Sequence, residues 1–448
     1  MRSIRAADLA GSPLPLRSLA MSSQPASAVE PALAPAIPSI HDRHGRDDWR
    51  VIVVVFWLTS MVEGLGVSQV FAFLPTYLSQ MGVPQAERLQ FVGLFTSLIF
   101  IVGAPLVPLW GVWADKYSRK AVIVRSCLVE AVVFVGVALS REPWQLALSL
   151  LLIGFQLGNT GVMLAGIRDV VPERRLGTIM AVFGASGPIG FAVGPFLGGF
   201  VLVDGLGWSL SQVFLLSALL SLGTGALVAI GSREIRPSVV PEGRVLRLAY
   251  SAVRGVVTDP AILRIFAIYF VTYLANQLTR PYQPVIVENL VPPGPGLAGT
   301  IGVVIGLAAL VGAIAATIGG ALGDRIGFRP VLFGALVGGG FALLFTPLAP
   351  TVALLALTVL VFTACNGSVG AMVFSLLSTE VPPERRSATL NLVYLPLYAA
   401  GIIGPFIGGI VAPVTGPGGP FVLGASVFLV AAVVVITRLK SARQPAAT

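Results

Sequence analysis

The chain has 448 residues, of which 55% are hydrophobic and only 11% are charged. Soluble domains carry about 25% charged residues, so this composition excludes an ordinary water-soluble surface. The net charge of +9 does not indicate nucleic-acid binding, because the basic residues lie in short loops between apolar runs. We therefore expect the lipid bilayer, and no nucleic acid, as the surrounding partner.

Twelve apolar runs are each long enough, at about 20 residues, to cross a hydrocarbon core of about 30 Å as a helix. They do not alternate between polar and apolar residues as barrel strands do. The sequence therefore predicts an all-α integral membrane protein with twelve transmembrane helices. The runs lie near residues 50–79, 89–112, 119–140, 145–168, 177–203, 210–231, 261–288, 299–322, 329–347, 351–378, 387–411 and 418–437.

The apolar runs fall into two groups of six, in an N-terminal half (49–232) and a C-terminal half (260–438). A polar stretch, 233–259, connects them and is expected to be a cytoplasmic loop. Residues 1–48 are rich in Ala, Pro and Ser and lack the apolar core of a secretory signal, so we expect a disordered cytoplasmic tail. Residues 439–448 form a second expected tail.

The basic residues fix the expected orientation, because they cluster in alternate loops while the other loops hold only Arg88 and Arg141. By the positive-inside rule both termini are expected in the cytoplasm of a bacterium, with the protein in the plasma membrane. Both histidines, His41 and His44, lie in the N-terminal tail, and the two cysteines lie inside separate spans. No metal site is therefore expected, and any proton coupling must use a carboxylate.

Three sequence motifs recur at an offset of about 210 residues. The segment 111–116 recurs at 320–325, 171–175 at 382–386, and 194–199 at 404–409. Because each half has an even number of spans, both copies share one orientation, which predicts parallel repeats about an axis along the membrane normal. Such halves can rock about a site between them.

The first repeated motif resembles the signature that the major facilitator superfamily carries between helices 2 and 3. The matching residues are Gly111, Asp115, Lys116, Arg119 and Lys120, and the second copy keeps Gly320, Asp324, Arg325, Gly327 and Arg329. Ser118 and Phe328 depart from the pattern. The resemblance implies a secondary transporter of small molecules that acts as a monomer, without a cofactor, and draws energy from an ion gradient.

The resemblance also implies that these charges close the cytoplasmic side. It implies four contacts: Asp115 with helix 11 near Ser387, Asp324 with helix 5 near Gly177, Arg119 with Asp169, and Arg329 with Glu380. The alternative is that the charges only satisfy topology and solvation.

Small residues at fourfold spacing on span 5 permit close helix contact and a bend. They are Gly190, Gly194, Pro195, Gly198 and Gly199, and span 11 carries a near copy at Gly404, Pro405, Gly408 and Gly409. The span 5 pattern resembles the signature of the drug and proton antiporter branch, which favours export. Symmetric packing is the alternative, because both spans carry the pattern.

Two carboxyls lie inside spans, where a charge is costly and usually functional. Glu63 is near the middle of span 1 and is the first candidate for the proton carrier; the alternative is a neutral carboxyl bonded to a neighbouring helix. Glu130 in span 3 is a second candidate, for which a structural role beside Arg125 is the alternative.

Polar residues at helical spacing outline a substrate cavity on spans 4, 7 and 10. They are Gln156, Asn159, Asn276, Gln277, Arg280 and Asn366. Arg280 is expected to attract an anionic substrate or to pair with Glu63, and interhelical hydrogen bonding is the alternative for the amides. Span 4 lacks the arginine that is common in the middle of this helix in proton-coupled exporters.

No phosphate-binding loop is present, so direct coupling to ATP is not supported, and the scarcity of polar residues in the spans argues against an enzyme. We therefore expect a proton-driven exporter of small amphipathic compounds. The alternatives are an importer of an organic anion or sugar, and a sensor or lipid flippase on the same scaffold.

Overall fold

In a computed structural model of the chain, the structure describes residues 48–237, 240–258, 260–380 and 394–438. All regular secondary structure in these ranges is helical. Eleven described helices are long and apolar enough to cross a membrane, and α7 is the twelfth, so the predicted fold is confirmed. The two predicted tails lie outside the described residues. The helices are α1 (Trp49–Gln80), α2 (Gln85–Lys116), α3 (Arg119–Leu139), α4 (Pro143–Val170), α5 (Glu173–Gly205), α6 (Leu210–Gly231), α7 (Pro260–Thr279, continued to Leu290), α8 (Leu297–Ile326), α9 (Phe328–Leu348), α10 (Val352–Glu380), α11 (Tyr394–Thr415) and α12 (Gly419–Arg438).

Helix packing repeats between the two halves. The pairs α1 with α5 and α3 with α6 recur as α7 with α11 and α9 with α12. Across the halves, α2 packs on α11 as α8 packs on α5. The predicted internal repeat is therefore a structural repeat, and it has the symmetry expected for two halves around a shared axis.

Two helices are interrupted inside the bundle. In α4 the regular helix stops at Leu152, a 3-10 turn follows, and Gly158 adopts φ +100° before the helix resumes at Asn159. In α7 a 3-10 turn, Arg280–Tyr282, contains Pro281, which cannot donate the backbone hydrogen bond that a regular helix needs. Because of these breaks, Gln156 and Arg280 lie on irregular backbone rather than within uninterrupted helices.

The connection between the halves contains a helix, Val245–Val257, where the sequence predicted only a polar loop. This connecting helix packs on α2. Leu246 and Tyr250 are exposed on it beside Arg247 and Arg254. This helix is apolar on one face only and is shorter than a membrane span, so its average hydropathy does not identify it.

The two ends of the bundle differ in charge. We call the end at which α2 ends and α3 begins the basic end, because it holds Lys116, Arg119 and Lys120. We call the other end, at which α1 ends and α2 begins, the opposite end.

Candidate functional site

The glycine motifs of α5 and α11 make symmetric backbone contacts. A Cβ atom on Gly194 would collide with the Leu65 backbone of α1, and one on Gly404 would come within 2.9 Å of Gln277 on α7. Across the halves, Gly199 lies against the Ala298 carbonyl of α8 and Gly409 against the Gln90 carbonyl of α2. Each motif therefore packs its helix both on its own half and on the other half.

The two motif prolines lie at equivalent contacts between the halves. The carbonyl oxygen of Pro195 faces Gly302 on α8, and that of Pro405 faces Gly93 on α2. Similarly, Gly190 packs on the Met61 carbonyl, whereas Gly198 and Gly408 lie beside the aromatic rings Phe73 and Tyr282. The predicted close packing is thus present, and its symmetry is the reason that both spans carry the pattern.

Polar side chains join the halves at the opposite end. Thr76 Oγ1 donates to Glu288 Oε1 at 2.6 Å, and Arg88 lies 3.7 Å from Glu288 Oε2. The Glu288 side chain is only 9% exposed, so little solvent screens this pair. We call these three residues the Glu288 cluster. Glu288 is recognisable in the sequence as an acidic residue at the end of an apolar span, but its two partners come from other helices and were not predicted.

Further hydrogen bonds between the halves lie in the same part of the bundle. Asp204 Oδ2 at the end of α5 accepts from the backbone N–H of Gly299 at 2.6 Å, near the start of α8. That position favours a carboxylate, because the first N–H groups of a helix lack partners within the helix. The Tyr282 hydroxyl donates to the Leu89 carbonyl at 3.2 Å. These contacts hold the opposite end together.

At the basic end, Arg119 joins α2, α4 and the segment that follows α6. Its guanidinium donates to Asp115 at 2.9 Å and to Asp169 at 2.6 Å. Its backbone N–H donates to Glu234 at 2.8 Å, and Ser118 Oγ donates to the other oxygen of that carboxylate. The pairing of Arg119 with Asp169 that the resemblance implied is present, whereas its role in gating stays a prediction.

Two further signature charges bind backbone carbonyls, Lys116 in the segment that connects the halves and Arg329 within its own half. Lys116 donates to the Gly243 carbonyl and Arg329 to the Ile436 carbonyl. Asp324 and Arg325 are exposed, and among the described residues no hydrogen bond joins Asp324 to α5. The predicted partners of Asp115 and Arg329, Ser387 and the Glu380 side chain, lie outside the described residues.

The signature glycines make no close helix contact at this end. A Cβ atom on Gly111, or on Gly177 of α5, would meet nothing within 4 Å, and one on Gly320 would meet only Ala371 of its own half, at 4.0 Å. In the described residues, close glycine packing between the halves is therefore found towards the opposite end.

Glu63 and Asn159, both predicted site residues, are brought together. Asn159 Nδ2 donates to Glu63 Oε2 at 2.9 Å, and Asn159 is the first residue of α4 after its break. Glu130 is 3% exposed and lies beside Gly66, one turn from Glu63. Glu130 of α3 therefore approaches the part of α1 that carries Glu63.

The suggested pairing of Glu130 with Arg125 is wrong for the described residues. The Arg125 guanidinium lies 3.7 Å from the ring centre of Trp110 and donates to Ser126 Oγ at 2.9 Å. Residues five positions apart on a helix point about 140° apart, so Arg125 and Glu130 face different neighbours.

Several buried polar atoms of the N-terminal half have no hydrogen-bond partner within the described residues. They belong to Trp110, Arg125, Glu130, Gln156 and Ser221. Buried polar groups without a protein partner usually bind water. These side chains therefore mark positions in the N-terminal half where water can bind.

Arg280 lies between two aromatic rings of the N-terminal half. Its guanidinium carbon is 4.0 Å from the ring centre of Phe71 on α1 and 4.7 Å from that of Phe191 on α5. No ion pair joins it to Glu63 within the described residues, so the suggested counter-ion is wrong there. The reason is distance along the helices, since Phe71 is eight residues beyond Glu63.

The other cavity candidates divide into two groups. Asn276 is half-buried and lies one turn before Arg280 on the same face of α7. Gln277 is 3% exposed and packs against Gly401 and Gly404 of α11, so it serves helix packing. Asn366 on α10 has a buried Oδ1 without a partner among the described residues.

The chain is similar to known membrane transporters. The family model described as Major Facilitator Superfamily matches residues 56–291 and 265–447. Multidrug resistance protein MdtG of Citrobacter koseri is 30% identical over 65% of this chain and 70% of its own. The multi-drug resistance efflux pump PmrA homolog of Lactococcus lactis is 25% identical over 82% of this chain and 89% of its own.

Solved structures share the fold at low identity. The nucleoside transporter NupG has a TM-score of 0.71 at 16% identity, covering 87% of this chain and 100% of its own. A bacterial homolog of the human lysosomal transporter Spinster has a TM-score of 0.66 at 14% identity, covering 87% and 95%. At these identities the similarity concerns the fold.

Proposed function

This chain belongs to the Major Facilitator Superfamily and is a secondary transporter, and we propose that it exports small amphipathic compounds in exchange for protons. The observation that carries this proposal is the unequal binding of the two halves. Three described hydrogen bonds between the halves, donated by Thr76, Tyr282 and the Gly299 N–H, lie at the opposite end, and a fourth, from Ser97 to the Ile402 carbonyl, lies in the middle part of α2. At the basic end, Arg119 binds Asp115 and Asp169 of its own half, and Lys116 binds the Gly243 carbonyl of the segment that connects the halves. Two symmetric halves whose described polar contacts concentrate towards one end are suited to alternating access.

Alternating access requires the opposite end to open. The Glu288 cluster and the bond between Asp204 and Gly299 must then break. Small residues on α5 and α11 let the helices of the two halves slide past one another at backbone distance. The Asp115 and Asp324 carboxylates would then close the basic end by capping helices of the facing half.

Glu63 is the proposed proton carrier. It is a membrane carboxyl whose described hydrogen-bond partner is the neutral amide of Asn159. A carboxyl in such surroundings is costly to leave charged, so it can take up a proton in one stage of the cycle and release it in another. Glu130 of α3, which lies beside Gly66, one turn along α1 from Glu63, is the proposed second carboxyl of this proton path.

The direction and the location are part of the proposal. Export is supported by the relatives MdtG and PmrA, whose names describe multidrug resistance and efflux, and by the glycine motif of α5. We propose that the basic end is cytoplasmic in a bacterial plasma membrane, and that the protein acts as a monomer without a cofactor.

Reporter fusions test the proposed orientation. Fusions after residues 142, 205 and 349 should report the outside of the cell, and a fusion after residue 240 should report the cytoplasm. The opposite pattern would show that the basic end faces outwards, which contradicts the positive-inside rule for this chain.

Transport into inside-out vesicles tests the function itself. Vesicles with an acidified lumen are offered cationic, anionic and neutral fluorescent dyes, with vesicles that lack the protein as the control. We expect at least one amphipathic dye to accumulate in the lumen, and a protonophore to abolish the accumulation. If no dye accumulates above the control, or if accumulation survives the protonophore, proton-coupled export is wrong.

A further inference from the structure

Arg280 lies close to the axis that relates the two halves. It follows Phe71 by 209 positions, the same offset that separates Asp115 from Asp324. Its guanidinium carbon is nevertheless only 4.0 Å from the Phe71 ring. Positions related by an approximate twofold axis can touch only near that axis, so Arg280 lies between the halves, where a transported compound has to pass.

The guanidinium packs between two aromatic rings of the N-terminal half. Phe71 and Phe191 come from α1 and α5 of the N-terminal half, and Arg280 reaches them from the 3-10 turn of α7. Arginine generally stacks on aromatic rings through its faces, which keeps the N–H groups at its edge available. Within the described residues, these N–H groups make no hydrogen bond and no ion pair.

The described carboxylates nearest in sequence are bound elsewhere. Glu63, eight residues before Phe71, accepts from Asn159, and Glu288, eight residues after Arg280, binds Thr76 and Arg88. An arginine inside a membrane bundle without a counter-ion is costly. A bound anion offsets this unfavourable free energy, because a planar guanidinium binds a carboxylate or a sulfonate with two parallel hydrogen bonds.

We infer that Arg280 is the anion-binding group of the transport site, and that the substrates it selects carry a carboxylate or sulfonate on a flat aromatic body. This inference rests on the proposed export function and names the substrate class of the same site. Phe71 and Phe191 supply aromatic surface beside the charge. Asn276 and Tyr273 lie on the same face of α7 as Arg280, one and two turns away, and extend this surface with polar groups.

Binding of two dyes with one ring system tests the inference. Fluorescein and rhodamine 6G share a xanthene core, but the first is an anion and the second a cation at neutral pH. Fluorescence anisotropy of each dye is measured with the purified full-length chain and with Arg280→Gln, Arg280→Lys and Arg141→Gln. Arg141 is exposed in the loop between α3 and α4, so its variant controls for the loss of one positive charge.

We expect Arg280→Gln to weaken fluorescein binding by at least about tenfold, because a charge-assisted hydrogen-bond pair is lost, and to leave rhodamine 6G binding unchanged within about twofold. Arg280→Lys should be intermediate, because it keeps the charge and loses the flat two-donor edge. The inference is overturned if the wild type binds fluorescein no more tightly than rhodamine 6G. It is also overturned if Arg280→Gln, or Arg280→Lys where the first variant does not fold, binds fluorescein as the wild type does.

The vesicle assay separates this inference from the proposed function. If rhodamine 6G accumulates under the pH gradient while fluorescein neither binds nor moves, export stands and the anion site is wrong. If fluorescein binds through Arg280 but no dye accumulates, the anion site stands and proton-coupled export is wrong.

Discussion

The hydrogen bond between Glu63 and Asn159 places a carboxyl of α1 against the broken part of α4. We expect Glu63→Gln to abolish transport driven by a pH gradient and to leave dye binding nearly unchanged. Glutamine keeps the volume and still accepts a hydrogen bond from Asn159, but it cannot release a proton. Glu63→Asp should keep partial activity, since its carboxyl is withdrawn by one methylene.

The matched control for Glu63 is Glu87→Gln, which removes an exposed carboxylate at the start of α2. It should transport as the wild type does in the vesicle assay. Full gradient-driven transport by Glu63→Gln would exclude Glu63 as the carrier, and Glu130→Gln would then be measured in the same way.

Asp115 is the second residue with an expected effect on transport. It binds Arg119 within its own half in this structure, and we propose that it caps α11 when the basic end closes. Asp115→Asn removes the charge at constant shape, so we expect unchanged insertion and transport slowed by about tenfold. Equal transport rates at equal expression would contradict the proposed gate; Glu142→Gln, at the opposite end, is the control.

Residue identities were easier to predict than residue contacts. Glu63 and Asn159 were both recognised as polar residues inside spans, but their contact depends on how α1 and α4 face each other, which spacing within one helix does not encode. The pairing of Arg119 with Asp169 was predicted only through the family resemblance. The aromatic rings around Arg280 were missed, because Phe71 and Phe191 cannot be distinguished in sequence from core phenylalanines.

At the scale of helices, the glycine motifs of α5 and α11 connect sequence to packing most directly. Fourfold spacing predicted close contacts, and the structure adds the partners, which are α1 and α8 for α5, and α7 and α2 for α11. The break in α4 was not predicted, because Gly158 stands in a run where glycine is common. The break in α7 was not predicted either, although it contains Pro281, a residue that interrupts regular helices.

Gly199→Ala tests whether backbone contact between α5 and α8 stabilises the closed opposite end. A methyl group there would collide with the Ala298 carbonyl, which we expect to lower stability by about 1–3 kcal/mol. The measurement is thermal unfolding of the purified protein. Gly187→Ala on the same helix is the control, because its methyl group would meet nothing within 4 Å. A melting temperature of Gly199→Ala equal to that of Gly187→Ala would show that the contact is not close in solution.

At the scale of the whole molecule, hydropathy and the repeat predicted the number of helices and the pairing of two like halves. They could not predict which end is held shut, because both conformations of an alternating-access protein share one sequence. Which end is closed depends on a few polar contacts between the halves. Among the described contacts of this kind, the Glu288 cluster is the one that contains a buried charge pair. Its residues come from α1, α2 and α7, so no local pattern reveals it.

Glu288→Gln should shift the molecule towards a state that is open at the opposite end. The amide still bonds to Thr76, but it loses the charge pair with Arg88, which lies 3.7 Å away and is 14% exposed. A loss of about 1–2 kcal/mol changes the ratio of two states by a factor of about 5–30, which is large enough to measure.

Spin labels on Arg141→Cys and Thr351→Cys, in a chain with Cys127 and Cys365 replaced by serine, report the distance between the halves at this end. We expect the population of molecules with a longer distance to increase in Glu288→Gln. It should not increase in the control Glu87→Gln, which removes an exposed carboxylate next to Arg88 in the chain. Identical distance distributions in the wild type and Glu288→Gln would mean that the backbone contacts of α5 and α11, rather than this charge pair, hold the opposite end shut.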